Sequence, residues 1–278
     1  MKVAVTGAGG FIGRHVVAEL LARAVPVMAV ARAAGPLRAQ WPAIQVVTMD
    51  IARPSPTAYL DLGSPEVLIH LAWGGLPNYR SLHHFEEELV RQYRFLRGLL
   101  EAGLPALVVA GTCFEYGMRC GACSEEMAPR PANPYAYAKD ALHKQLTYLR
   151  MTHPFALTWA RLFYTYGEGQ MPGSLYPALQ AAVNRGDAVF NMSGGEQLRD
   201  YLPVTTVAAR LADLALQHAD AGVINVCAGQ PVAVRSLVEG WLREWGKEIT
   251  LNLGYYPYPD YEPMAFWGDS KRWGQLTG

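Results

Sequence analysis

The chain has 278 residues, 51% of them hydrophobic and only 17% charged, so it can bury a large core and does not have the composition of a disordered segment. Its 24 basic and 24 acidic residues cancel, which excludes a global field that would draw it to nucleic acid or an anionic membrane. No apolar run approaches the roughly 18 residues of a membrane span, and the start carries no signal-peptide pattern, so a soluble cytoplasmic protein is expected.

The length suits two domains, or one α/β unit with a smaller lobe. Short, apolar, often β-branched runs at 2–6, 25–31, 44–48, 67–71, 106–110, 155–162 and 223–226 read as buried strands. Helical patterns stand between them. Phe11, Ile12, Val16, Val17, Leu20 and Leu21 share one stripe, residues 85–103 repeat the pattern with Gly103 as a stop, and 135–151 form a third helix. This alternation predicts a parallel sheet covered on both faces. After residue 163 the texture changes. Segments rich in Gly, Pro and Tyr interleave with helices near 175–185, 204–218 and 236–245. These predict a small second lobe over 164–278, with the strand near 223–226 returning to the sheet of residues 1–163.

Between the first strand and first helix stands Thr6-Gly7-Ala8-Gly9-Gly10-Phe11-Ile12-Gly13. Gly7 and Gly10 let the backbone turn tightly and approach a pyrophosphate, and Gly13 lets the helix pack close to the sheet. The helix N-terminus offers free N–H groups to the phosphates. An NAD site usually ends its second strand in a carboxylate for the ribose hydroxyls. Here that strand ends Val30-Ala31-Arg32-Ala33. A guanidinium binds a 2′-phosphate that a carboxylate would repel, so Arg32 predicts NADP(H).

Tyr135 and Lys139, in Asn133-Pro134-Tyr135-Ala136-Tyr137-Ala138-Lys139, are four residues apart and share a helical face. A lysine ammonium beside a phenol is expected to lower its pKa and make it a proton donor and acceptor near neutral pH. Thr112 follows the fifth strand, where an open α/β sheet presents ligands, and its hydroxyl can bond a reacting oxygen.

Taken together, these motifs resemble an extended short-chain dehydrogenase/reductase of the NAD-dependent epimerase/dehydratase family, whose members act mainly on nucleotide sugars. The likeness runs nearly end to end. It includes TGAGGFIG at 6–13, IHLAW at 69–73, GTCFEYG at 111–117, NPYAYAK at 133–139, RLFYTYG at 161–167, GGEQLRDYLPV at 194–204 and DSK at 269–271. The resemblance implies a Rossmann-type doubly wound parallel sheet with a small C-terminal substrate lobe. It implies Thr112, Tyr135 and Lys139 as catalytic residues, with Lys139 also on the nicotinamide ribose. Asp50 and Ile51 would border the adenine, and Leu71 and Ala72 would line the cofactor trough. Arg199 would contact the substrate diphosphate, unless a salt bridge to Asp200 or a neighbour holds it. A homodimer through the helices at 85–103 and 135–151 is likewise implied.

Departures from the family pattern narrow the reaction. Sugar dehydratases place an Asp-Glu pair after the threonine, where this chain has Cys113 and Phe114, so dehydration is not expected. An NADP preference suits a reductase that exchanges its cofactor each turnover, and the Thr-x-Phe-Glu-Tyr-Gly stretch resembles reductases of nucleotide-linked 4-keto-6-deoxyhexoses. Tyr164 replaces a usual asparagine in the substrate pocket, and a basic residue common near 258–262 is missing. The expected function is therefore NADPH-dependent reduction of such a keto sugar. A nucleotide-sugar 4-epimerase and a non-catalytic NADP-binding sensor or scaffold are the alternatives.

Other residues are less specific. Cys113, Cys120, Cys123 and Cys227 outline no disulfide framework, and Cys120-x-x-Cys123 lacks a second ligand pair, so no metal is expected. Adjacent His83 and His84 point apart on a helix and suit no joint ligation. Trp73 reads either as a wall of the cleft or as packing. Tyr255, Tyr256, Tyr258 and Tyr261 read as supports of a proline-rich loop or as a stacking surface.

Overall fold

The computed structural model describes residues 1–218 and 220–277. Seven parallel strands form one sheet: β1 (Val3–Thr6), β2 (Val27–Ala31), β3 (Gln45–Thr48), β4 (Val67–His70), β5 (Ala106–Thr112), β6 (Ala156–Leu162) and β7 (Gly222–Val226). Their spatial order is β3-β2-β1-β4-β5-β6-β7, so the chain reverses direction across the sheet between β1 and β4. Ligands of such sheets bind at that reversal, outside the carboxyl ends of the strands. The strand near 223–226 does return to the sheet, as β7 beside β6.

Alternation along each strand feeds two cores. Val3, Val5, Val67 and Ile69 join one cluster with helices α1 (Phe11–Ala22) and α5 (Val204–Leu216). Ala4 and Leu68 point the other way, into a cluster with α2 (Leu89–Glu101) and α3 (Pro134–Leu149). Because both faces are covered, the strands read as continuous apolar runs.

The second lobe packs α4 (Leu175–Arg185) against α6 (Val234–Trp245) through Leu179, Ala182, Val238 and Trp241. The Gly- and Pro-rich segments around them form two-stranded pieces, such as Tyr164–Tyr166 with Tyr201–Pro203 and Gly121–Cys123 with Phe266–Gly268. Strands this short leave no readable period. The helix expected over 85–103 also differs, since α2 is preceded by a π-helical turn, His84–Glu88. One wider turn does not disturb an apolar stripe enough to be seen in sequence. A third apolar cluster, with Cys113, Phe114, Tyr135, Phe163 and Phe266, fills the junction between the lobes.

No helix among the described residues is long and apolar enough to cross a membrane.

Candidate active site

The cofactor side is built by backbone. Gly7 has φ +68°, and a Cβ there would stand 2.9 Å from the Ala72 nitrogen; one on Gly13 would stand 2.1 Å from the Gly7 carbonyl oxygen. Only glycine permits this approach of turn, helix and β4 end. Helix α1 starts at Phe11 with no side-chain cap on Gly10, so its first N–H groups remain for an anion. Beside it runs a trough of about 680 Å³. Of the residues expected around the cofactor, Gly7, Gly10, Arg32, Asp50, Ile51, Leu71 and Ala72 line this trough, whereas Phe11, Ile12, Gly13, Tyr135 and Lys139 do not. Ile12 packs on the core and Phe11 sets its ring edge-on to His15, so any part these two take lies in their backbone. Arg53, also in the trough, escaped the sequence reading although it stands just after Asp50-Ile51. A dinucleotide fits this set: a cradle that a Cβ would fill, an uncapped helix start and two exposed guanidinium groups, those of Arg32 and Arg53.

A buried polar chain joins the ends of β1 and β4. The Thr6 hydroxyl meets His70 Nδ1 at 2.8 Å, His70 Nε2 meets Gln92 Oε1 at 2.7 Å, and the Gln92 amide donates to Glu88 at 2.9 Å. Since the Gln92 nitrogen serves Glu88, its oxygen faces His70. That puts the imidazole proton on Nε2 and leaves Nδ1 to accept from Thr6. Burial drives the His70 pKa down to about 3, so the ring is neutral. Glu88 also accepts the Gly74 N–H at 3.0 Å, which fixes the loop after β4.

Thr112 ends β5 and caps the turn Cys113–Tyr116. Its hydroxyl accepts the Phe114 N–H at 3.3 Å and its own N–H donates to Glu115 at 2.8 Å. The fully buried Glu115 is held in turn by Arg161 Nε at 2.7 Å and Trp159 Nε1 at 3.0 Å. An ion pair beneath the sheet end therefore sets the place of the threonine. Helix α3 begins with Asn133 accepting the Ala136 N–H at 2.9 Å and Pro134 in the first turn, which fixes where Tyr135 and Lys139 emerge. Thr112, Tyr135 and Lys139 come together, all buried. Tyr135 is ringed by His84 at 5.3 Å, Tyr79 at 5.4 Å and Trp73 at 5.9 Å between ring centroids.

The electrostatics correct one expectation. Tyr135 is pushed above its ordinary value, not below it, because burial disfavours the phenolate; a hydrogen bond with Thr112 opposes this only in part. Lys139 is desolvated as well, to a pKa of about 7, and its Nζ donates to the Ala110 carbonyl at 2.8 Å. An ammonium that is only partly charged near neutral pH and directed at a carbonyl cannot dominate the phenol beside it.

Across the cleft, Tyr164 stacks on Tyr201 at 5.1 Å, and its buried hydroxyl faces the Glu262 carboxylate. The Arg199 guanidinium lies over the Tyr164 ring at 5.7 Å. Its Nε and Nη2 donate to Glu262 at 3.2 and 3.0 Å, and Nη1 donates to the Leu198 and Met264 carbonyls. Asp200 is not its partner: that carboxylate accepts N–H groups of Ala228, Gly229 and Gly268. Glu262 went unremarked in the sequence, where an acidic residue in an aromatic, proline-rich stretch was the available signal. A second hollow, about 560 Å³ among Asp187, Arg243, Lys247 and Glu248, contains none of the expected site residues.

Cys113, Cys123 and Cys227 are buried free thiols and Cys120 is exposed; among the described residues no three His, Cys, Asp or Glu side chains are grouped to hold a metal.

The sequence matches the model of the NAD dependent epimerase/dehydratase family over residues 3–227. The chain belongs to that family. Within it, the chain is 28% identical over 270 residues to dTDP-6-deoxy-L-talose 4-dehydrogenase (NAD(+)) of Aggregatibacter actinomycetemcomitans, covering 96% of this chain and 99% of the relative. It is 27% identical over 286 residues to dTDP-6-deoxy-L-talose 4-dehydrogenase (NAD(P)(+)) of Kitasatospora kifunensis, covering 99% and 86%. The solved structure of MoeE5 in complex with UDP-glucose and NAD superposes with a TM-score of 0.84 at 28% identity, over 100% of this chain and 92% of that one. This family member therefore has the Rossmann-like sheet of its structural neighbours, and its relatives are nucleotide-sugar oxidoreductases and epimerases.

Proposed function

We propose that this protein reduces the 4-keto group of a nucleotide-linked 4-keto-6-deoxy sugar with NADPH. The convergence of the buried Thr112, Tyr135 and Lys139 carries the reading. Two relatives named for dehydrogenation at C4 of a dTDP-linked 6-deoxy sugar support it, since the reduction is the same hydride transfer run backwards. NADPH supplies the hydride when bound. Arg32 and Arg53 would hold its 2′-phosphate, and Asp50, one oxygen of which accepts the Ala52 N–H at 3.0 Å, would stay beside the adenine. Thr112 holds the substrate oxygen and Tyr135 gives it a proton. A phenol kept neutral by burial is in the protonation state that a proton donor needs. The Tyr164 hydroxyl meets the sugar nucleotide, and Arg199 meets its diphosphate by exchanging Glu262 for phosphate oxygens. Dehydration does not fit, because Phe114 carries no proton and burial pushes the Cys113 thiol well above its usual range. Exposed Val90, Tyr137 and Tyr148 on α2 and α3 suit a homodimer through those helices.

The test is NADPH consumption, followed by absorbance, with a panel of dTDP-, GDP- and UDP-linked 4-keto-6-deoxyhexoses. Stoichiometric loss with one of them is expected. No loss with any, despite NADPH binding, would overturn the reduction. Equal affinity for NADPH and NADH would overturn the cofactor assignment alone.

A further inference from the structure

Trp73 leaves the end of β4 two residues after Leu71 and turns its indole into the cleft. It lines the cofactor trough on one side. Its other contacts are with the reacting centre: Lys139 Nζ lies 4.0 Å from the ring centroid, and the Tyr135 ring meets it edge-on at 5.9 Å and 77°. The ammonium thus sits between the Ala110 carbonyl at 2.8 Å and an indole face. A cation so placed is attracted by the electron-rich face, and more strongly out of water.

The indole is itself held. Its Nε1 donates to His84 Nδ1 at 3.1 Å, with the two rings stacked at 29°. His84 Nε2 meets the Asn78 carbonyl at 2.8 Å; a carbonyl only accepts, so the proton is on Nε2 and the Nδ1 lone pair is free for the indole. His84 opens the π-helical turn His84–Glu88 and is wholly buried, and burial disfavours the second proton that would cancel this acceptor.

We propose that Trp73, keyed by His84, is the positioning residue for Lys139: its face holds the ammonium against the Ala110 carbonyl and walls the Thr112–Tyr135–Lys139 centre off from water in the trough. The inference rests on the reading of Lys139 as part of the reacting centre. Charged and titratable groups face Lys139 from each neighbouring element. Glu115 comes from the turn after β5, Glu88 from the π-helical turn, His70 from β4, His84 from behind the indole and Tyr135 from its own helix. Burial outweighs both the two carboxylates and the pull of the indole face on the ammonium, so removing the wall lets water in and restores the charge.

Two measurements on the full chain test this. The protein has five lysines, so 13Cε-lysine NMR can follow Lys139 through a pH titration, with Lys139→Arg assigning its signal. Trp73→Leu is expected to raise the Lys139 midpoint by about one pH unit or more, Trp73→Phe to restore most of it, and His84→Ala to fall between. In turnover of the keto sugar, Trp73→Leu is expected to lower kcat about tenfold to a hundredfold with KM changed less than about threefold, and Trp73→Phe to recover most of the loss. A Lys139 midpoint unmoved in folded Trp73→Leu, or Trp73→Phe no better than Trp73→Leu, overturns the proposal. If the leucine variant does not fold, Trp73→Phe and His84→Ala decide: midpoints identical to the parent in both overturn it. A shifted midpoint in a protein that turns over no keto sugar would leave Trp73 as the positioner of Lys139 and overturn the reductase reading instead.

Discussion

The half of the cleft at the glycine turn is open and shaped by close backbone approach, whereas the half around Tyr164 and Arg199 is already filled by its own side chains. Gly7, Gly10 and the start of α1 come from one short stretch, and the trough they border remains a cavity of about 680 Å³. Tyr164, Arg199 and Glu262 come from three distant segments and lie packed together, with the Arg199 guanidinium engaged by Glu262 and two carbonyls. A phosphate cradle needs only amides in a tight turn, which a few consecutive residues can specify. A pocket for one sugar needs side chains that converge, and their charges must be balanced while they wait.

The sharpest break in that comparison is Tyr135→Phe. It removes one oxygen from the filled half and should cost about 10²–10⁴ in kcat while the dissociation constant for NADPH stays the same. Full activity would remove Tyr135 from the chemistry. Next in size is Glu115→Gln, which strands the Arg161 charge at almost no exposure. Urea unfolding should show a loss of about 3–5 kcal/mol; a change within experimental error would mean that the pair does not support Thr112.

In the open half, Gly13→Ala and Gly9→Ala make a matched pair. A Cβ at 13 meets the Gly7 carbonyl oxygen at 2.1 Å, but one at 9 meets nothing within 4 Å. The first should cost about 1–3 kcal/mol and weaken NADPH binding, and the second should do neither. Equal effects would show that close backbone approach is not what the glycines serve.

Per pH unit the histidines add a slope comparable to these single substitutions. Burial holds His70 near pKa 3 and His143 near 4, against a usual 6.5. As pH falls below 6.5 the unfolded chain takes up these protons and the folded chain does not, so stability falls with pH. Each histidine contributes about 1.4 kcal/mol per pH unit until its folded value is reached. The urea midpoint should therefore decline steadily from about pH 6 to about pH 4, and His70→Gln should flatten the decline. An unchanged slope in that variant would place a charged His70 in the folded state.

Seven strands, the principal helices, the glycine turn and the shared face of Tyr135 and Lys139 were all legible in sequence. Each is fixed by a period or spacing within a few residues, and steric rules act on that scale. Only the tertiary structure decided the rest. Glu262 lies 63 positions from Arg199, and Trp73 reaches Lys139 across 66 residues of chain, so no local pattern marks either pairing. The upward shift of Tyr135 and the downward shift of Lys139 come from desolvation, which does not exist until the lobes close around them. The spacing of the two residues predicted their meeting, but the sign of what burial does to them is set by everything packed around the pair.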